Sequence, residues 1–138
     1  MTVIACIDGN TGMMFNNRRQ TRDKAVIERI IKLSGNNPLW MSYYSETLFP
    51  DYHLSNINTS EVFISCAEKN DFCFIENSMY FKGYEKKINK LILFSWNTVY
   101  PADDYLNIDL SEWLCVEKTD FEGNSHECIT ERVYVRKN

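Results

Sequence analysis

Asp71 to Tyr84, DFCFIENSMYFKGY, is the stretch on which the fold turns. Its first half, FCFI, has the character of an apolar strand, and a helix is expected from about Ser78 to Lys86, with no glycine between the two. In α/β proteins such a junction commonly faces a dinucleotide, because bare glycine backbone lets a pyrophosphate sit against the helix N-terminus. Here the junction is Ile75, Glu76 and Asn77. A branched apolar side chain fills the space and a carboxylate adds negative charge, so a phosphate meets bulk and repulsion.

Working outward, the flanks supply the rest of an α/β sheet. Thr2 to Ile7 is almost wholly apolar, as suits a central strand buried on both faces. Gly12 to Arg22 lacks periodicity and is expected to be a long loop. From Asp23, a capping residue, Val26, Ile27, Ile30, Ile31 and Leu33 fall at helical spacing, and Ser34-Gly35-Asn36-Asn37-Pro38 ends the helix. Leu39 to Met41 is a second strand. A short helix over Tyr43 to Phe49 stops at Pro50, and Asp51 to Ser60 is polar loop. Glu61 to Cys66 is expected as a third strand, Phe72 to Ile75 as a fourth and Asn89 to Trp96 as a fifth. Asp109 to Glu112 forms a turn. Trp113 to Lys118 and Cys128 to Val135 then form an antiparallel hairpin at the sheet edge. The order predicts an α/β domain over residues 1–138 with a mostly parallel central sheet flanked by helices.

Composition narrows the functional classes. Apolar residues make up 44% of the 138 and aromatics 14%, which excludes a disordered chain. The net charge of −4 gives no global attraction to nucleic acid or to an anionic membrane. Five cysteines, four of them in apolar strand-like runs, point to reduced, buried thiols. With no CxxC spacing and with His53 and His126 far apart, no zinc or other metal site is expected. The N-terminus lacks a basic leader and no apolar run approaches about 18 residues, so a cytoplasmic location and no membrane contact are expected.

The layout resembles dihydrofolate reductase. VIACID followed by GNTGMMFNN is similar to that family's first strand and glycine-containing active-site loop, NNPLWMS to its second strand, and FCFIENSMY to its apolar strand, glycine pair and helix. NKLILFSW with YPADDYLNIDLSEW resembles the strand, acidic loop and Asp-Trp segment near its C-terminus. The resemblance implies an NADPH-dependent pterin reductase, yet the family's functional positions are filled differently. Val26 stands at the place of the pterin-binding acid, with Asp23 reaching that register only through a gap. Gln20 and Thr21 stand near its Pro-Trp pair, and Ser42 and Tyr43 where Gly and a basic residue hold cofactor phosphate. Thr59 stands near the substrate-clamping arginine, Ile75-Glu76 on the Gly-Gly pair and Phe94 on the substrate-orienting threonine. The segment that helps hold adenosine is cut to AEKN. These losses strike both ligands, and hydride transfer needs both aligned near contact.

The expectation is therefore a reductase fold without catalysis and without cofactor, acting by binding another macromolecule, most plainly a protein. Such a compact, diverged copy of a metabolic enzyme would suit a viral protein acting on a host factor. Candidate contacts are Arg18, Arg19 and Arg22, which gather three cations beside Asn16 and Asn17 as a docking patch for an acidic partner, together with Tyr43, Tyr44 and Tyr52. Trp40 and Tyr80 are aromatic at neighbouring positions, with core packing preferred for Trp40. The alternative is a far-diverged NADPH-dependent reductase, with Asp23 as its acid and Ser78 receiving phosphate. Asp103-Asp104 is expected as a surface pair.

Overall fold

The computed structural model describes residues 1–49 and 54–137. β1 (Thr2–Ile7) is followed not by a loop but by a small hairpin, β2 (Gly12–Phe15) and β3 (Arg18–Arg19), with Met14 opposite Arg19. Its turn is Asn16-Asn17, at φ of 50° and 59°. Two positive φ values give the turn whose twist matches antiparallel strands, and asparagine tolerates that region better than other residues with a Cβ. The asparagine pair is the sequence signal for the hairpin.

α1 (Lys24–Ser34) begins at Asp23, whose carboxylate accepts the Ala25 N–H, and ends at Gly35 at φ of 55°. β4 (Leu39–Met41) follows as expected, and α2 (Tyr43–Glu46) is shorter than the expected Tyr43 to Phe49. Pro50, Tyr52 and His53 lie outside the described residues. Two assignments then exchange places. β5 (Ile57–Thr59) lies where polar loop is expected, and Glu61 to Cys66 contains α3 (Phe63–Cys66) instead of a strand. A short apolar run does not separate strand from helix by periodicity. Ile57–Thr59 takes the strand position because main-chain pairing with β4 needs little apolar pattern at a sheet edge.

β6 (Phe72–Phe74) enters the junction, after which the expected helix is two 3₁₀ turns, Ser78–Phe81 and Glu85–Lys87. Gly83, at φ of 83°, breaks the segment between them. β7 (Lys90–Ser95), β8 (Asp104–Tyr105), a 3₁₀ turn at Leu110–Glu112, and the hairpin β9 (Trp113–Phe121) with β10 (Ile129–Arg136) complete the chain.

The main sheet runs β5-β4-β6-β1-β7-β10-β9. Its first five strands are parallel, and β10 and β9 close one side in antiparallel fashion. β3, β2 and β8 form a second, small sheet. The unbroken apolar runs serve two cores, one on each face. Val3, Ala5, Cys73, Leu91 and Leu93 face one way, with Phe63, Ile75 and Phe81. Ile4, Phe74, Ile92 and Phe94 face the other, with Val26, Ile27 and Ile30 of α1. Each such large side chain contributes about 1.5–3 kcal/mol when fully buried, so the paired cores fix the sheet and with it the C-terminal strand ends.

The thiols divide. Cys73 is buried and burial pushes its pKa up to about 12, and burial likewise pushes Cys6 up. Cys66, Cys115 and Cys128 are exposed, contrary to the expectation of buried thiols. α3 turns Cys66 outward, and β9, where Cys115 lies, is an edge strand. Among the described residues no helix is long and apolar enough to cross a membrane.

Candidate functional site

The parallel strands β1, β4 and β6 end on one side of the sheet, and the β2-β3 hairpin, leaving β1 directly, folds back across those ends. Asp8, the first residue past β1, holds the hairpin's base. Its Oδ1 accepts the N–H groups of Asn10 (2.8 Å) and Gly12 (2.7 Å), and its Oδ2 accepts Gln20 Nε2 (2.9 Å) and the Tyr100 N–H (3.1 Å). Burial pushes its pKa up, but those four donors, led by Tyr100, outweigh burial and hold the carboxyl below its usual range. Gly12 admits no side chain, since a Cβ would lie 2.8 Å from Ala102 Cβ, Asp8 Oδ2 and Gln20 Nε2.

The hairpin's far strand is held by Arg19. Its guanidinium forms a bidentate ion pair with Glu76, Nε to Oε2 at 2.8 Å and Nη2 to Oε1 at 3.0 Å. Ser45 Oγ donates to the same Oε1 at 2.8 Å, and the guanidinium carbon sits 4.1 Å from the centre of the Tyr44 ring. The Tyr44 hydroxyl accepts the Arg19 N–H at 2.9 Å. The two side chains are only 17% and 11% exposed. Ile75 is fully buried in the core, so the crowding at this junction comes from Glu76 and its arginine and not from the branched chain. Below the pair remains a cavity of about 20 Å³ touching Cys6, Asp23, Phe74 and Trp96, room for about one water.

Asp23, the acid of the alternative reading, has no free lone pair. Oδ1 accepts Ala25 N–H (2.9 Å) and Asn124 N–H (2.8 Å), and Oδ2 accepts Ser125 N–H (2.8 Å) and His126 Nδ1 (3.0 Å). Burial raises its pKa, and the bonds from Asn124, His126, Ser125 and Ala25 lower it further than burial raises it. His126 is stacked on Trp96 at 4.6 Å, and its Nε2 lies 2.9 Å from the Tyr100 hydroxyl. Sequence spacing offers no signal for this contact, because Asp23 and His126 are 103 residues apart.

Ser78 is engaged as well. Asp104 accepts its N–H at 3.0 Å and its hydroxyl through the other carboxylate oxygen. Asp103 accepts the Asn16 N–H at 3.1 Å. The acidic pair expected at the surface is thus a tie between β8, the hairpin turn and the Ser78 turn.

Of the other candidates, Arg18 and Arg22 are exposed and, among the described residues, have no ion-pair partner, so the expected cluster of three cations is two free arginines and one turned inward. Tyr43 is 60% exposed. Trp40 packs against the first core and donates Nε1 to Asp71 at 3.0 Å. Tyr80 packs on Phe63, with ring centres 4.8 Å apart. Among the described residues no group of His, Cys, Asp and Glu is placed to hold a metal ion.

No protein-family model matches the chain. No curated protein matches it. Among solved structures, it is similar to a dihydrofolate reductase from Enterococcus faecalis complexed with NADP(H) and RAB-propyl. The TM-score is 0.72 at 14% identity, over 99% of this chain and 96% of that one. The fold is therefore dihydrofolate reductase-like.

Proposed function

We propose that this chain keeps a dihydrofolate reductase-like fold without the reductase chemistry and works by binding a protein through the face around the β2-β3 hairpin. The observation that carries this reading is the Arg19–Glu76 pair, which bridges hairpin and junction over a cavity of about 20 Å³. Small-molecule sites run to about 300–1,000 Å³. A hollow of that size along the hairpin, an open recess of about 520 Å³ beside Phe15, Arg18 and Tyr100, is lined by none of Glu76, Ser78 and Asp23.

The residues present do not fit a nicotinamide dinucleotide. The Ser78 N–H and hydroxyl, the donors a phosphate would use, already serve the Asp104 carboxylate, and the Arg19 guanidinium nearby is already committed to Glu76. Asp23 has no lone pair left for a pterin. Arg18, Arg22 and Tyr43 offer exposed guanidinium and aromatic groups, the types enriched among interface anchors.

The alternative, a far-diverged NADPH-dependent reductase, has in its favour the fold shared with a reductase solved with NADP(H). Titrating NADPH and an antifolate while following tryptophan fluorescence and melting temperature separates the two. A ligand at 100 times its Kd stabilises by about 2.7 kcal/mol, so a clear rise in melting temperature with either compound favours the reductase, and an unchanged temperature favours the binding protein.

A further inference from the structure

On the far side of the Arg19–Glu76 pair lies a groove of about 230 Å³ whose walls include Tyr44, Tyr80, Met14 and Ser42, with Glu76 and Asn77 at its base. The Tyr80 hydroxyl donates across 3.4 Å to Glu61, whose other oxygen accepts the Tyr43 N–H at 3.0 Å. Glu76 is neutralised by Arg19, whereas Glu61 is exposed and has no cationic partner among the described residues. Glu61, joined to the groove's Tyr80 wall, therefore carries an uncompensated negative charge beside it. Val62 (65% exposed) flanks Glu61, and Met79 (66% exposed) flanks Tyr80.

We infer that this groove receives an arginine side chain of a protein partner, its guanidinium on Glu61 and its stem between Tyr80 and Tyr44. The inference rests on the protein-binding reading above. The volume falls below the usual range for a small-molecule pocket and suits one long side chain. The chain itself supplies the precedent, because Arg19 stands next door, though more enclosed, paired with a carboxylate and laid over a tyrosine ring. Arginine fits better than lysine because a planar guanidinium takes a carboxylate in two-pronged fashion and stacks on an aromatic face at once. Burial, with the charge of Glu61, raises the Tyr80 pKa, so the phenol remains a donor that orients that carboxylate.

The test is an amide NMR titration of the whole chain with a blocked pentapeptide carrying a central arginine, beside the same peptide with lysine or with uncharged, isosteric citrulline. The arginine peptide is expected to shift the amides of Ser42 to Tyr44 and Asn77 to Tyr80. Citrulline and the Glu61→Gln variant are each expected to weaken binding about tenfold, equivalent to ~1.4 kcal/mol. Equal binding of citrulline, an unaffected Glu61→Gln variant, or no shift at those amides at millimolar peptide overturns the inference. NADPH added to the same sample keeps the two readings apart. Shifts with NADPH remove the binding-protein reading, whereas silence with both NADPH and peptide removes only the arginine site.

Discussion

Arg19 and Glu76 stand 57 residues apart in the sequence and are joined by two parallel hydrogen bonds of 2.8 and 3.0 Å. A nearly enclosed ion pair is costly to halve. Glu76→Ala leaves a guanidinium without its anion and is expected to lower unfolding free energy by about 3 kcal/mol. Replacing both members with apolar residues, as in Arg19→Met with Glu76→Leu, is expected to recover at least ~1 kcal/mol of that loss. Urea unfolding of the two variants checks the order, and limited proteolysis within 12–19 reports whether the hairpin has lifted.

Reversing charge separates surface from latch. Arg18→Glu with Arg22→Glu is expected to leave the unfolding free energy within about 0.5 kcal/mol of the parent while removing any partner captured through this face. Arg19→Glu sets two carboxylates against each other and is expected to destabilise the fold itself. Thermal melts beside pull-downs distinguish these outcomes, and a partner retained by the Arg18, Arg22 double variant rejects that patch.

Acid weakens the fold through Asp8 and Asp23. Both have folded-state pKa values below their ordinary ones, so their stabilisation is complete above the unfolded value of about 4 and is lost as pH falls through the folded values. The urea midpoint is expected to drop steeply below about pH 4, and Asp8→Asn and Asp23→Asn to flatten that drop. Asp23→Ala also removes a helix cap and strands the Asn124 and Ser125 N–H groups, for an expected loss of about 3–5 kcal/mol at neutral pH.

Thiol labelling follows exposure and thiolate content. A disulfide reagent under native conditions is expected to modify Cys66, Cys115 and Cys128 quickly, and Cys6 and Cys73 only on unfolding. Five groups reacting at one rate would contradict the buried position of Cys73 and the raised pKa of the half-buried Cys6.

Four of the five parallel strands and the closing hairpin were legible because runs such as VIACI and KLILFS are apolar enough to fix both type and burial. Short elements were not. EVFISC and INT differ by too few residues for period to decide, and pairing with β4 settled which one became a strand. The turn at Asn16-Asn17 and the helix break at Gly83 carried signals of backbone geometry that apolar pattern passes over. At the site, an absent glycine pair was visible at Ile75-Glu76, but its consequence was not, because the arginine that answers Glu76 comes from another part of the chain. The same holds for Ser78 with Asp104 and for Asp23 with His126. Ion pairs and saturated carboxylates are made by folding and leave no local imprint.

The β2 strand takes its outer partner from β8, Gly12 opposite Tyr105 and Met14 opposite Asp104. During vectorial synthesis the early hairpin thus emerges from the ribosome about 90 residues before the strand that clamps it, and such distant pairing is slow to close. A nascent chain that has passed β6 but not β8 holds its strand ends without their outer brace, so the seal over them is completed only after β8 has emerged.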